Sequence, residues 1–137
     1  MTYSILVFLS RKPGTTPEQF KNYYAGSHMP MFRELVGHRF PVRHIQRYIH
    51  RTETSADGAT QRNPSTPASV LLGSQADFDF DVAVTIEFKD AAAAREQFEF
   101  VRQPDIEAII TADEEKFLDR SQTRVVVLGE TIEMTGN

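Results

Sequence analysis

The chain has 137 residues, of which 40% are apolar and 25% charged, a composition typical of a single folded domain. It contains no cysteine, so disulfides, thiolate nucleophiles and thiolate metal ligands are excluded. Its 15 basic and 19 acidic residues give a net charge of −4, which argues against nucleic acid as a partner. The apolar runs are too short for a membrane span, and the first residues lack a signal-peptide pattern. We therefore expect a cytoplasmic protein without a membrane partner.

The chain opens with a predicted strand that is followed by two predicted helices. Residues 3–12 alternate between two faces, as in a β-strand, and end at a Pro-Gly turn. Thr16–Gln19 forms a capping box with proline at the first helical position, and predicts a helix to about Gly26. A second, short helix is predicted over residues 30–36, ended by Gly37.

The second predicted strand, residues 42–51, is unusual because neither of its faces is apolar. Its period of two places one set of side chains on one face: Val42, His44, Gln46, Tyr48 and His50. The opposite face carries the other set: Arg43, Ile45, Arg47, Ile49 and Arg51. A row of imidazole, amide and phenol groups under covering helices predicts a pocket wall instead of a solid core. The arginines are interpreted as a solvated or ion-paired face.

The rest of the chain predicts a loop, a strand, two helices and a final strand. Residues 52–75 are rich in Thr, Ser, Gly and Pro, which predicts a long loop, either a lid or an inert insertion. A strand with one apolar face is predicted over 80–88, and a helix over 90–103. A further helix begins at Pro104, continuing or restarting to about residue 118, and the last strand covers 123–131.

This order of elements predicts the fold class. Strand, helix, strand, strand, helix and strand over residues 1–137 predict a single α+β domain of the ferredoxin-like type, a four-stranded antiparallel sheet with helices on one face. The uncovered face retains aliphatic residues such as Ile45 and Ile49, which would form a large exposed apolar patch. We therefore expect a homodimer in which two sheets pair, and in which the arginines meet acids such as Asp81 or Glu87.

Four segments of the chain carry the pattern of a known family. They are RKPGTTPEQFKNYYAGSHMP, VRHIQRYIHR, FDVAVTIEF and DEEKFLDRSQTRVVV. Tyr24 and His28 form a Tyr-x-x-x-His-x-Pro pattern, Asp81 opens the third strand, and residues 113–119 form an acidic stretch with a Phe-Leu-Asp ending. In these features the chain resembles the EthD family of the dimeric α/β-barrel superfamily, and especially its fungal polyketide-pathway branch. It departs from the pattern at Glu87, near the place where relatives often have tryptophan.

The resemblance implies a homodimer with a pocket between the sheet and the helices of each subunit. It also implies a cofactor-free lyase or cyclase that tailors an aromatic polyketide, most notably by decarboxylation or dehydration of an anthrone-type carboxylic acid. Two alternatives stay open at this point. One is a cofactor-independent monooxygenase that oxidises an anthrone, and the other is a non-catalytic dimer that holds a hydrophobic ligand.

The candidate site residues follow from the chemistry that such a substrate requires. Histidine moves protons near neutral pH, tyrosine donates to an enolate oxygen, and arginine binds a carboxylate. The predicted catalytic residues are His44, His28 and Tyr48. The predicted substrate-binding residues are Tyr24, His50, Asp81 and Arg43. We expect no metal, because His44 and His50 stand six residues apart on one strand face, too far apart to share an ion.

Each candidate also has a purely structural interpretation. His44 is alternatively a hydrogen-bonded residue of a half-buried strand, and His28 a cap at the junction of two helices. Tyr24 is alternatively a packed ring with its hydroxyl at the rim. For His50 the alternative is a position exposed to solvent, and for Asp81 an ion pair with an arginine.

Overall fold

The computed structural model describes residues 1–52 and 60–136, which form one antiparallel sheet with helices on one side. Residues 53–59 of the predicted long loop lie outside the described residues. The strands are β1 (Tyr3–Leu9), β2 (Arg43–Tyr48), β3 (Val82–Phe88) and β4 (Arg124–Val127). Their order across the sheet is β2-β3-β1-β4, and every neighbouring pair is antiparallel. The predicted ferredoxin-like α+β fold is confirmed.

Four α-helices and one π-helical segment form the second layer. They are α1 (Pro17–Tyr23), the π segment (Tyr24–His28), α2 (Met29–Val36), α3 (Ala91–Val101) and α4 (Pro104–Glu114). Short 3₁₀ turns cover Gly37–Arg39, Gln75–Phe78 and Arg120–Gln122. None of the described helices has the length and apolar character that crossing a membrane requires.

The predicted capping box begins α1 as expected. The Thr16 side chain accepts a hydrogen bond from the Gln19 amide, and the Gln19 side chain accepts one from the Thr16 amide. The sequence predicts an end of this helix near Gly26, but the chain continues through the π segment directly into α2. Pro30 has no amide hydrogen, and its ring clashes with the carbonyl four residues earlier in a regular helix. The wider π turn relieves this conflict, with the Met29 amide bonded to the carbonyl of Tyr24.

The strand register decides which face of β2 meets the helices. His44 stands opposite Ile86, Gln46 opposite Val84, and Tyr48 opposite Val82. The β3 residues of this row continue into the hydrophobic core beneath the helices, whose buried members are Ile5, Val7, Leu9, Phe20, Tyr24, Val82, Val84, Phe117 and Leu118. The prediction that the polar row of β2 lies on the helix-covered face is therefore confirmed.

All four strands are shorter than predicted, and β2 and β4 lose the most residues. The strand predicted over 42–51 is shortened to β2. Its partner β3 begins only at Val82, which pairs with Tyr48, so the ladder ends at that pair. The predicted strand over 123–131 becomes the four-residue β4, which pairs with β1 along one edge only. Beyond Val127 one further amide, that of Leu128, bonds to β1, and residues 129–136 are exposed.

Candidate functional site

A cavity of about 480 Å³ lies between the sheet and the helical layer. Its walls are mainly apolar, with Val7, Leu9 and Ile86 on the sheet side and Phe32 and Phe117 on the helix side. Several polar side chains also line the cavity, among them Tyr24, His28, His44, Glu114 and Arg120. A mostly apolar pocket with a few convergent polar groups is the usual form of a small-molecule site.

The first polar pair of the cavity joins β2 to the π segment. The Tyr24 hydroxyl lies 3.2 Å from Nε2 of His44. Burial lowers the pKa of His44, and the nearby His28 lowers it further. Burial also raises the pKa of Tyr24. At neutral pH the pair therefore consists of a neutral imidazole and a protonated phenol, which together can donate and accept a proton.

The second polar pair joins the π segment to the end of α4. Nδ1 of the buried His28 lies 2.8 Å from one carboxylate oxygen of Asp113, and the Tyr23 hydroxyl donates to the other oxygen at 2.6 Å. Burial alone raises the pKa of Asp113, but the hydrogen bonds from Tyr23 and His28 outweigh it and lower the pKa. The carboxylate is thus ionised and accepts from Nδ1, which leaves Nε2 of His28 as the free ring nitrogen.

Tyr24 stands between the two histidines. Its ring centre lies 6.0 Å from that of His28 and 6.1 Å from that of His44. Tyr24 and His28, four residues apart on the π segment, are both buried and both line the cavity. The arrangement brings two imidazoles and one phenol within reach of a single bound ring system. Within the parts of the chain that the structure describes, no three His, Cys, Asp or Glu side chains are placed to share a metal ion.

A charged pair also lines the cavity. Oε1 of Glu114, at the end of α4, lies 3.3 Å from Nε of Arg120 in the following 3₁₀ turn. Burial raises the pKa of Glu114, although electrostatic interactions with His28 and Arg120 oppose this shift. The cavity therefore holds a carboxyl group whose proton affinity is higher than usual, beside two histidines.

The structure brings together three of the predicted site residues, His28, His44 and Tyr24. Tyr48, a predicted catalytic residue, shares the helix-covered face but does not line the cavity. Its hydroxyl donates to Gln46 at 2.6 Å, and burial raises its pKa to about 12.

The three other predicted substrate-binding residues lie away from the cavity. Asp81 is buried and forms an ion pair with Arg11, at 2.6 Å. This pair connects the start of β3 to the end of β1. His50 is exposed beyond the end of β2, where its ring bonds to Ser69 at 2.7 Å. Arg43 points to the opposite face of the sheet, 3.9 Å from Glu87 of the same chain. Asp81 and His50 lie beyond the strand ends, and the alternation of side chains along β2 turns Arg43 away from the cavity.

Sequence reasoning missed Asp113, Glu114 and Arg120 as site residues. Helical spacing alone does not show which acid of the stretch at residues 113–119 points inward. Asp113 meets His28 across 85 residues of sequence, a contact that depends on how α4 packs. A usable signal is the run of three acids, Asp113–Glu115, which only Lys116 separates from the buried Phe117.

Comparison with known proteins settles the family. The EthD domain model matches residues 12–121, which is most of the chain. The protein belongs to the EthD family. An EthD family protein from Bacillus halodurans has a similar structure, with a TM-score of 0.53 and 14% identity over 96% of this chain and 100% of that one. An EthD-like protein from Ralstonia eutropha gives a TM-score of 0.50 and 16% identity over 93% and 87% of the two chains. At these identities the likeness shows the fold alone. Among curated proteins, none matches the sequence significantly.

Proposed function

We propose that this EthD-family protein is a cofactor-free enzyme that removes carbon dioxide or water from an aromatic polyketide carboxylic acid. One observation carries the proposal. His28, hydrogen-bonded to Asp113, and His44, hydrogen-bonded to Tyr24, lie on either side of Tyr24 inside a cavity with mostly apolar walls. Partnered imidazoles of this kind are typical of acid–base catalysis, because the partner sets the tautomer and the orientation of the ring.

The cavity suits a flat ring system. A volume of about 480 Å³ lies within the usual range for small-molecule sites. Aromatic rings of Phe32, Tyr24 and Phe117 contribute to its walls and offer stacking surfaces. Two arginines, Arg102 and Arg120, also line it and provide cations for a substrate carboxylate.

The polar pairs match the steps that such a reaction needs. Loss of carbon dioxide from a β-keto acid places negative charge on the ketone oxygen, and loss of water begins with removal of an acidic proton next to that ketone. The Tyr24 hydroxyl, adjacent to His44, is placed to donate to the oxygen that gains charge. Nε2 of His28, with Asp113 behind it, is placed to exchange a proton with the substrate.

The decisive experiment incubates the protein with a carboxylated anthrone precursor and identifies the products by mass spectrometry. We expect loss of carbon dioxide or water, and we expect His28→Ala and His44→Ala to lower kcat by about 10²-fold or more. His38→Ala is the matched control, because the side chain of His38 is exposed on a turn away from the cavity.

The other outcomes identify the alternatives. Oxygen consumption with formation of a quinone would replace the proposal by a monooxygenase. Binding of the aromatic acid without any product, in the wild-type protein and all variants, would identify a non-catalytic binding protein.

A further inference from the structure

The charged pair of the cavity has no part in the proton transfers proposed above. Glu114 and Arg120 lie 3.3 Å apart, with 26% of the Glu114 side chain and 51% of the Arg120 side chain exposed. A partly exposed ion pair of this kind contributes little to folding stability. Replacing Glu114 by another carboxylate as the partner of Arg120 therefore costs little stability. Both residues line the cavity, so a bound ligand can reach them.

We propose that the carboxylate of a ligand replaces Glu114 as the partner of Arg120, and that the displaced Glu114 takes up one proton from solvent. The inference deepens the proposed function and rests on it for the substrate class, an aromatic carboxylic acid. The charges balance, because one negative charge enters with the ligand and one positive charge enters with the proton. The exchange leaves no uncompensated carboxylate in the cavity, where an unpaired charge is costly.

The groups around Glu114 favour proton uptake on this exchange. Burial already raises the pKa of Glu114, and the neighbouring charge of Asp113 acts in the same direction. His28 and Arg120 act in the opposite direction, and a ligand carboxylate would neutralise the charge of Arg120. The remaining titratable or charged groups that line the cavity are Tyr24, His44, Arg102 and Glu107.

The exchange also distinguishes between the two reactions of the proposed function. Loss of carbon dioxide breaks the bond between a ring carbon and the carboxylate, and one proton must replace it on that carbon. Loss of water leaves the carboxylate in place and consumes no net proton. A site that acquires a proton whenever a carboxylate binds is therefore suited to decarboxylation. The proton taken up by Glu114 balances the one that replaces carbon dioxide on the ring carbon, so Glu114 ends ionised and Arg120 is free to pair with it again.

Proton uptake is measurable without turnover. Isothermal titration calorimetry in buffers of different ionisation enthalpy reports the number of protons taken up on binding. The probes are anthraquinone-2-carboxylate and, as its neutral match, 2-(hydroxymethyl)anthraquinone, neither of which can react as a β-keto acid. At a pH where Glu114 is ionised in the free protein, we expect net proton uptake with the acid and none with the alcohol.

Three variants test whether Glu114 takes up the proton and whether Arg120 binds the ligand carboxylate. Glu114→Gln should still bind the acid but without proton uptake. Arg120→Gln should weaken binding of the acid by about ten- to a hundredfold and leave binding of the alcohol unchanged. Glu115→Gln, a change of the adjacent exposed glutamate, is the matched control and should behave as the wild type.

Three results would overturn the inference. They are proton uptake that persists in Glu114→Gln, loss of affinity in Arg102→Gln in place of Arg120→Gln, and an acid that binds no more tightly than the alcohol. The proposed function fails by a separate measurement, the absence of product from the carboxylated anthrone. If the acid binds with proton uptake but no product forms, the proposed function fails and the recognition of the carboxylate is retained. If product forms but binding takes up no proton, the role of Glu114 is excluded and the proposed function is retained.

Discussion

Asp113 determines which nitrogen of His28 is free to react. Its ionised carboxylate accepts from Nδ1, and the Tyr23 hydroxyl holds the same carboxylate in place from the other side. A carboxylate behind an imidazole also stabilises the positive charge that the ring gains when it takes a proton. Asp113 is therefore a positioning residue that acts on the substrate through His28.

We expect Asp113→Asn to lower kcat for product formation by about 10²-fold and to leave KM nearly unchanged. The amide keeps the size of the side chain but loses the charge that supports the imidazole. Tyr23→Phe, which removes only the second support of Asp113, should have a smaller effect. A rise in KM with kcat preserved would show instead that Asp113 serves substrate binding.

The half-buried position of His44 gives the stability of the protein a dependence on pH. Its pKa lies below the ordinary value of 6.5, so the unfolded chain binds the proton more readily than the folded one. Between these two values the free energy of unfolding falls as the pH falls. Urea unfolding at about pH 7.5 and about pH 5.5 should show a smaller loss of stability in His44→Gln than in the wild type. His38→Gln is the control for loss of an imidazole. If the free energy of unfolding changed equally with pH in His44→Gln and in the wild type, His44 would not be the source of the pH dependence.

At the scale of elements, α1 and the π segment together deliver the helix-side residues of the cavity. The capping box at Thr16 begins α1, and the π turn that follows places Tyr24 and His28 at the cavity. The cap was readable from sequence because its residues are local. The π turn was not, because it reflects the packing of Phe20 and Tyr24 against Phe117 as well as the constraint of Pro30.

We expect Thr16→Ala to lower the free energy of unfolding by about 1 kcal/mol, because the amide of Gln19 loses its side-chain acceptor. Urea unfolding followed by circular dichroism measures this difference. Thr2→Ala, at an exposed threonine before β1, is the matched control and should leave stability unchanged. A loss as small in Thr16→Ala as in the control would show that tertiary contacts alone hold the start of α1.

At the scale of the whole molecule, the sheet face opposite the helices carries a continuous row of side chains. The register aligns Ile45 with Thr85, Thr85 with Leu6, and Leu6 with Val126 across all four strands. Arginines of β2 stand on either side of this row, and Arg43 lies near Glu87. A mainly apolar row flanked by charges is suited to self-association about a twofold axis, in which the same face meets itself.

We therefore expect a homodimer, with twice the mass of the chain in size-exclusion chromatography with light scattering. Ile45→Asp should give monomers, because it places two carboxylates at the centre of the paired sheets. Ile109→Asp, at an exposed position of α4, is the matched control and should remain dimeric. A wild-type protein that elutes as a monomer at high concentration would exclude this assembly.

The sequence by itself determined the order of elements, the α1 cap and the face of β2 that carries His44. These features depend on spacing within a few residues, so local periodicity and capping chemistry were sufficient. Only the tertiary structure decided that Asp113 and Glu114 belong to the site and that Asp81 does not. Those assignments depend on contacts between distant segments, namely α4 against the π segment and Arg11 against Asp81. Such contacts follow from the packing of whole elements, which local sequence patterns do not specify.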